Sequence, residues 1–319
     1  MSNLLIGLLG ALVATNQPAA VSNLVLRSTG VSVAVPDAND PVEKELQKVM
    51  DEDDAAQAEV DRWIRENEDF ATKGAAMPAE QLKRRIQQRF EPVHKAYEDF
   101  IERHPRHSRA RVAYASFLGD TKDEESAEDQ LEKALAIDTN SPAIYNNLAN
   151  IYGHIGPVKK AFEYYDRAIQ LNPLEPVYYH NLGTTVYLFR NDAMEHYKIE
   201  LPQVFAKAFE LYSNAMRLDP DNFPLASDVA QTYYGIQPLR TDEALQAWTN
   251  ALHIAHDEIE REGVYVHFAR LKLLAGRFTE ARSHLDSITN AMYADLKSRL
   301  TRNLKEKESA SKTNAPPNQ

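Results

Sequence analysis

A chain of 319 residues can hold two ordinary domains or a stack of short repeats, and 43% hydrophobic residues supply a substantial core. A formal net charge of −11 and a mean hydropathy of −0.51 describe a well-solvated surface, and they argue against holding a phosphate backbone, which needs clustered Lys and Arg. With no cysteine, disulfides, a thiolate nucleophile and cysteine-ligated zinc or iron–sulfur sites are excluded.

At the N-terminus, Leu4 to Ala14 is an apolar run about the length of a signal-peptide core, but no Lys or Arg precedes Arg27. Residues 1–36 are therefore read as short helices packed on the body, with a weak export signal or membrane-contacting helix as the alternative. The corresponding address is cytoplasmic, the alternative being periplasmic or membrane-associated through residues 4–14.

Residues 37–107 read as a helical region. Between 37 and 69 stand thirteen Asp or Glu against four Lys or Arg. Val42, Leu46, Val49 and Met50 at one end, with Val60, Trp63 and Ile64 at the other, are spaced for one long helix. Asp51 to Asp54 interrupts that stripe, predicting a solvated face or a kink. Gly74 to Pro78 marks a turn, and Leu82, Ile86, Phe90, Val93 and Tyr97 predict a second helix stopping at His104-Pro105.

From Ser108 the chain repeats itself. The clearest unit is 142–175, 34 residues long, with Tyr145, Leu148, Ala149 and Tyr152 on a first helix and Ala161, Tyr165 and Ala168 on a second. Leu171-Asn172-Pro173 closes it. Small residues let two antiparallel helices approach, aromatic residues fill the space around them, and one pair alone cannot bury both apolar faces, so pairs must stack. The register continues through 108–141, 176–222, 223–257 and 262–289. The unit at 176–222 is thirteen residues longer than 34, which predicts two lengthened helices with a projecting tip. Met292, Leu296, Leu300 and Leu304 predict a capping helix over 290–308, and residues 309–319 read as a disordered tail.

These residues occupy the places where the tetratricopeptide repeat has W, L, G, Y, A, F, A and P, and the chain resembles a bacterial-type, non-catalytic member of that family. The resemblance implies an all-α, right-handed superhelical solenoid of antiparallel helix pairs, about five repeats with extra N-terminal helices and a C-terminal cap. It also implies a concave groove lined by the first helices. On that geometry the groove residues are Asn146, Asn147 and Asn150, then His180, Asn181, Thr184 and Tyr187, then Ser227, Asp228, Gln231 and Tyr234. This is a neutral row able to pair with a peptide main chain. The family's clamp for a carboxylate terminus is missing, since Val112, Ser116, Val177 and Asn181 stand where its Lys and Arg would be.

The expected function is a scaffold or adaptor holding a protein or peptide segment, with no nucleic acid, no small-molecule substrate, no cofactor and no catalysis. The insert offers a second contact through Tyr197, Ile199 and Leu201. An envelope-associated assembly factor tethered by its N-terminal segment is one alternative. Another is a metal-dependent enzyme or sensor using His253 and His256, spaced as two ligands on one helix face; the expectation is no metal, with the pair favoured by the helix C-terminal dipole.

Overall fold

The computed structural model describes residues 40–72 and 74–313. The expectations for residues 1–36 and for 314–319 lie outside that range. The described residues fall into two compact units divided between Thr185 and Val186.

In the first unit, α1 (Pro41–Thr72) is the one long helix that the apolar spacing predicts, but its acidic centre is not wholly a solvated face. The reason lies in its helical register. Leu46, Asp53, Ala56 and Val60 share one face, and Asp53 is turned toward α2 (Ala79–Arg103), where it accepts from the Tyr97 hydroxyl at 2.8 Å. Asn67 closes the turn between the two helices by accepting from the Met77 amide at 2.6 Å. At the other end of α1, buried Glu43 pairs with Arg109 and with His107, while Glu45 pairs with Arg103 and His104. These contacts tie the start of α1 to the turn that follows α2.

Next come α3 (Ser108–Asp120) with α4 (Glu124–Ile137), and α5 (Pro142–His154) with α6 (Val158–Leu171). Within each pair the helices pack closely, and α4 packs on α5 to carry the stack forward. Ala115 and Ala149, 34 positions apart, are both buried, as are Ala127 and Ala161, and Ala134 and Ala168. A methyl at these points brings the two backbones together, and Leu131, Leu148, Phe162 and Tyr165 fill the surrounding space. Asp123 accepts from the Ser126 amide and Pro142 sits in the first turn of α5, so both helix starts are set by local chemistry. Helix α7 (Pro176–Leu188) follows, its last residues belonging to the second unit.

In the second unit the thirteen-residue insert does not lengthen two helices. Phe189 leaves helical geometry at φ −104° and ψ 51°, and the chain starts a separate short helix, α8 (Arg190–Tyr197). Lys198 adopts the left-handed conformation, φ 55°, before α9 (Leu201–Leu218) begins. Fully buried Ala193 and Val204 explain why: both insert arms carry a core residue, so the segment folds back on the unit instead of projecting.

Helices α10 (Phe223–Thr232) and α11 (Thr241–Ile254) form the next pair, and α12 (Glu258–Leu274) and α13 (Phe278–Asp286) the last. Trp248 is the centre of one core, with Ala226, Ala230, Ala244, Ala251, Val264, Phe268 and Leu271 around it. The terminal helix α14 (Ala294–Thr313) covers the second core through Leu300 and Leu304, whereas Met292 and Leu296, expected on the same packed face, are exposed. It extends beyond residue 308, so 309–313 are helical rather than part of a tail.

The loop leading into α14 is held by Glu262. Its buried carboxylate accepts from the Thr289 amide at 3.0 Å, the Thr289 hydroxyl at 2.7 Å and the Asn290 amide at 2.7 Å. Burial alone would raise its pKa, but these donors hold it below the ordinary value.

Candidate functional site

The row of side chains expected to line a groove is divided between the two units. In the first, α5 and α7 carry Asn146, Asn147, Asn150, His180, Asn181 and Thr184. Asn146 is fully buried, not presented to a ligand: its Oδ1 accepts from Asn181 Nδ2 at 3.0 Å and its Nδ2 donates to Asn147 Oδ1 at 3.4 Å. Ala143 and Ala149, three positions before and after it, are buried as well, so Asn146 sits on a packed face of the helix. Asn150 accepts from the Tyr165 hydroxyl at 2.6 Å, and the Thr185 hydroxyl donates to the Asn181 carbonyl at 2.8 Å. Asn147, Asn150, His180, Asn181 and Thr184 are half-buried. Asn146 thus links the amides of Asn147 and Asn181, and Asn150 is held separately by Tyr165, which positions these three side chains before any ligand arrives.

The second unit holds Tyr187, Ser227, Asp228, Gln231 and Tyr234. Tyr187 is buried, contrary to its expected place among the groove residues. Its hydroxyl lies where a β carbon on residue 235 would have to sit, so Gly235 is required by this close approach. Ser227 and Asp228 are half-buried and Gln231 is exposed. Tyr234 is half-buried, and its hydroxyl lies 3.1 Å from His267 Nδ1. The His267 ring stacks on Trp248 with centroids 3.9 Å apart and planes 12° apart. Burial, with the charge of Arg270, pushes the imidazole pKa down to about 3, so the ring is neutral.

Two cations lie against tyrosine rings of this unit. The Arg270 guanidinium lies 4.6 Å from the Tyr234 ring centre, and that of Arg190 lies 5.3 Å from Tyr187 and 5.9 Å from Phe205. The predicted neutral surface is therefore charged in the second unit. Sequence reading missed Arg190, Gly235, His267 and Arg270. For the last two a signal was available, because they fall on the first helix of the fifth repeat between packing positions Tyr265, Phe268, Ala269 and Leu271. The aromatic partners come from elsewhere in the chain, and nothing in the local sequence identifies them.

Within the insert, Tyr197 and Ile199 are half-buried and Leu201 is exposed. Lys207 covers the Tyr197 ring at 4.1 Å. The intended contact surface is thus mostly used internally.

His253 and His256 do not share a helix face, as α11 ends at Ile254 and Ala255 is extended. His256 pairs instead with Glu260, Nδ1 to Oε2 at 3.1 Å. Among the described residues, no cluster of three or more His, Cys, Asp or Glu could hold a metal ion, and no helix is long and apolar enough to cross a membrane.

A family profile described as tetratricopeptide repeat matches residues 142–173. The photosystem I assembly protein Ycf3 of Cyanophora paradoxa is 32% identical over 89 residues, 28% of this chain, and the chain spans about half of that relative, 51%. Among solved structures, PilW, a type IV pilus biogenesis factor, superposes with a TM-score of 0.54 at 14% identity, covering 67% of this chain and 92% of PilW. Human IFIT1, solved with m7Gppp-AAAA, gives 0.50 at 19% identity over 67% of this chain and 48% of IFIT1. At these identities the structural likeness is one of fold.

Proposed function

We propose, from the premise that this chain is a tetratricopeptide-repeat protein, that it is an interaction scaffold whose first-helix faces hold an extended segment of a partner protein. The observation that carries the reading is the set of amides Asn147, Asn150 and Asn181, each held from within the fold. Amide side chains offer a donor and an acceptor each, the complement of a peptide group, and here they are held by Asn146 and Tyr165. Preorganisation of this kind lowers the entropy cost of binding a flexible segment. The scaffold is read as non-catalytic, in keeping with the tetratricopeptide-repeat profile it matches.

The test is co-purification of partners on immobilised protein carrying Asn147→Ala and Thr184→Ala, two half-buried positions outside the packed core. Loss of the principal partner by a variant that stays folded, its helical circular dichroism matching the parent's, supports the surface. Full recovery by the double variant rejects it.

A further inference from the structure

We infer that the second unit carries a distinct recognition site for a protein segment bearing two carboxylates, read by Arg190 and Arg270. The inference rests on the scaffold reading and specifies the chemistry of one partner segment.

Both guanidiniums are seated on tyrosine rings, Arg190 on Tyr187 and Arg270 on Tyr234. The two seats adjoin, because the Tyr187 hydroxyl abuts Gly235, the residue after Tyr234. Among the described residues neither arginine has a carboxylate within ion-pair distance, whereas Arg89, Arg103 and Arg109 do and Arg85, on Trp63, does not. A guanidinium held beside a ring has N–H groups to spare for a forked pair of hydrogen bonds to a carboxylate; on Arg190 one of them, Nη1, donates to the Tyr187 carbonyl at 3.4 Å and the others remain for a ligand. The seats themselves are rigid. Tyr187 is buried, and Tyr234 is braced by His267, which is stacked on Trp248. His267 is neutral and adds no charge of its own.

Two isolated cations on a protein of net charge −11 suit a segment with two acidic side chains in an otherwise neutral stretch. A nucleic-acid strand would bring a phosphate at every nucleotide into a surface without a basic stripe. The site also differs from a clamp for a chain terminus, since it reads side-chain carboxylates and leaves the main chain to run on in both directions.

The probe is a set of short fluorescent Gly-Ser peptides carrying two glutamates at varied spacing, each with a glutamine twin, measured by anisotropy against the full chain at low salt. Binding is expected for peptides of the matching spacing and not for their twins. Arg270→Gln and Arg190→Gln should each weaken it about tenfold, the scale of one charge-assisted fork at a hydrated surface. Arg270→Lys, which keeps the charge and loses the flat fork, should fall between. Because Arg270 is exposed, its variants should melt at the parent temperature, so loss of binding is not loss of fold. The proposal is overturned if glutamate peptides and twins behave alike, if the preference survives in Arg190→Gln/Arg270→Gln, or if oligouridylate binds the same arginines more tightly. Any of these results leaves partner capture through Asn147 and Thr184 standing, and failure there does not bear on the arginine pair.

Discussion

Asn181 donates its side-chain amide to the side-chain oxygen of Asn146, 35 residues earlier, at 3.0 Å. One bond thereby joins the first helices of two successive repeats, and a fully buried polar group is satisfied by its counterpart in the next repeat. Removing one partner leaves the other orphaned. Asn146→Ala is expected to cost about 1–3 kcal/mol, the desolvation penalty of an unpaired buried group, in urea denaturation. A double change with Asn181→Ala should cost less than the sum of the two single changes, and strict additivity would refute the bond's contribution.

Gly235 is set by a contact that its own neighbours in sequence do not reveal. Gly235→Ala drives a methyl into the Tyr187 hydroxyl and is expected to destabilise the chain by about 1–3 kcal/mol, as overpacking does. Tyr187→Phe, by removing that oxygen, should recover part of the loss. A melting temperature for Gly235→Ala equal to the parent's would show that the ring yields freely.

Asp53 gives stability a pH dependence. Burial against α2 raises its pKa to about 7, against the hydrogen bond from Tyr97. A carboxyl whose folded pKa is raised favours the fold most below its unfolded pKa, about 4, and this contribution fades as pH rises through about 7. Asp53→Asn should therefore raise the melting temperature at pH 8 and leave it nearly unchanged at pH 4. The same increment at both values would mean that Asp53 does not titrate in this range.

Glu262 has the opposite sign. With its folded pKa lowered, the stability it lends is present above the unfolded value and is lost as pH falls through the folded one. Glu262→Gln should cost about 1–3 kcal/mol, since a neutral amide replaces a charged acceptor of three bonds. Hydrogen exchange should quicken first in α14, whose leading loop this carboxylate holds. Uniform acceleration across the chain would argue against a local clasp.

The sequence by itself determined the repeat. Helix pairing needs a small residue wherever two backbones cross, and Ala127, Ala161, Ala208, Ala244 and Ala281 are buried at the positions the register assigns them. Such packing constraints recur along the chain and so are legible in it. What the tertiary structure decided is which of the residues between them are available. Asn146 and Tyr187 look like neighbours of Asn147 and Tyr234 in the pattern, yet one is sealed by Asn181 and the other by Gly235. The insert was visible as extra length, but its fold depends on the burial of Ala193 and Val204, which tertiary contacts decide. Arg190 and Arg270 acquired their seats from rings brought alongside by folding. Periodicity records what every repeat must satisfy in common, whereas accessibility depends on partners distant in sequence, which no local pattern encodes.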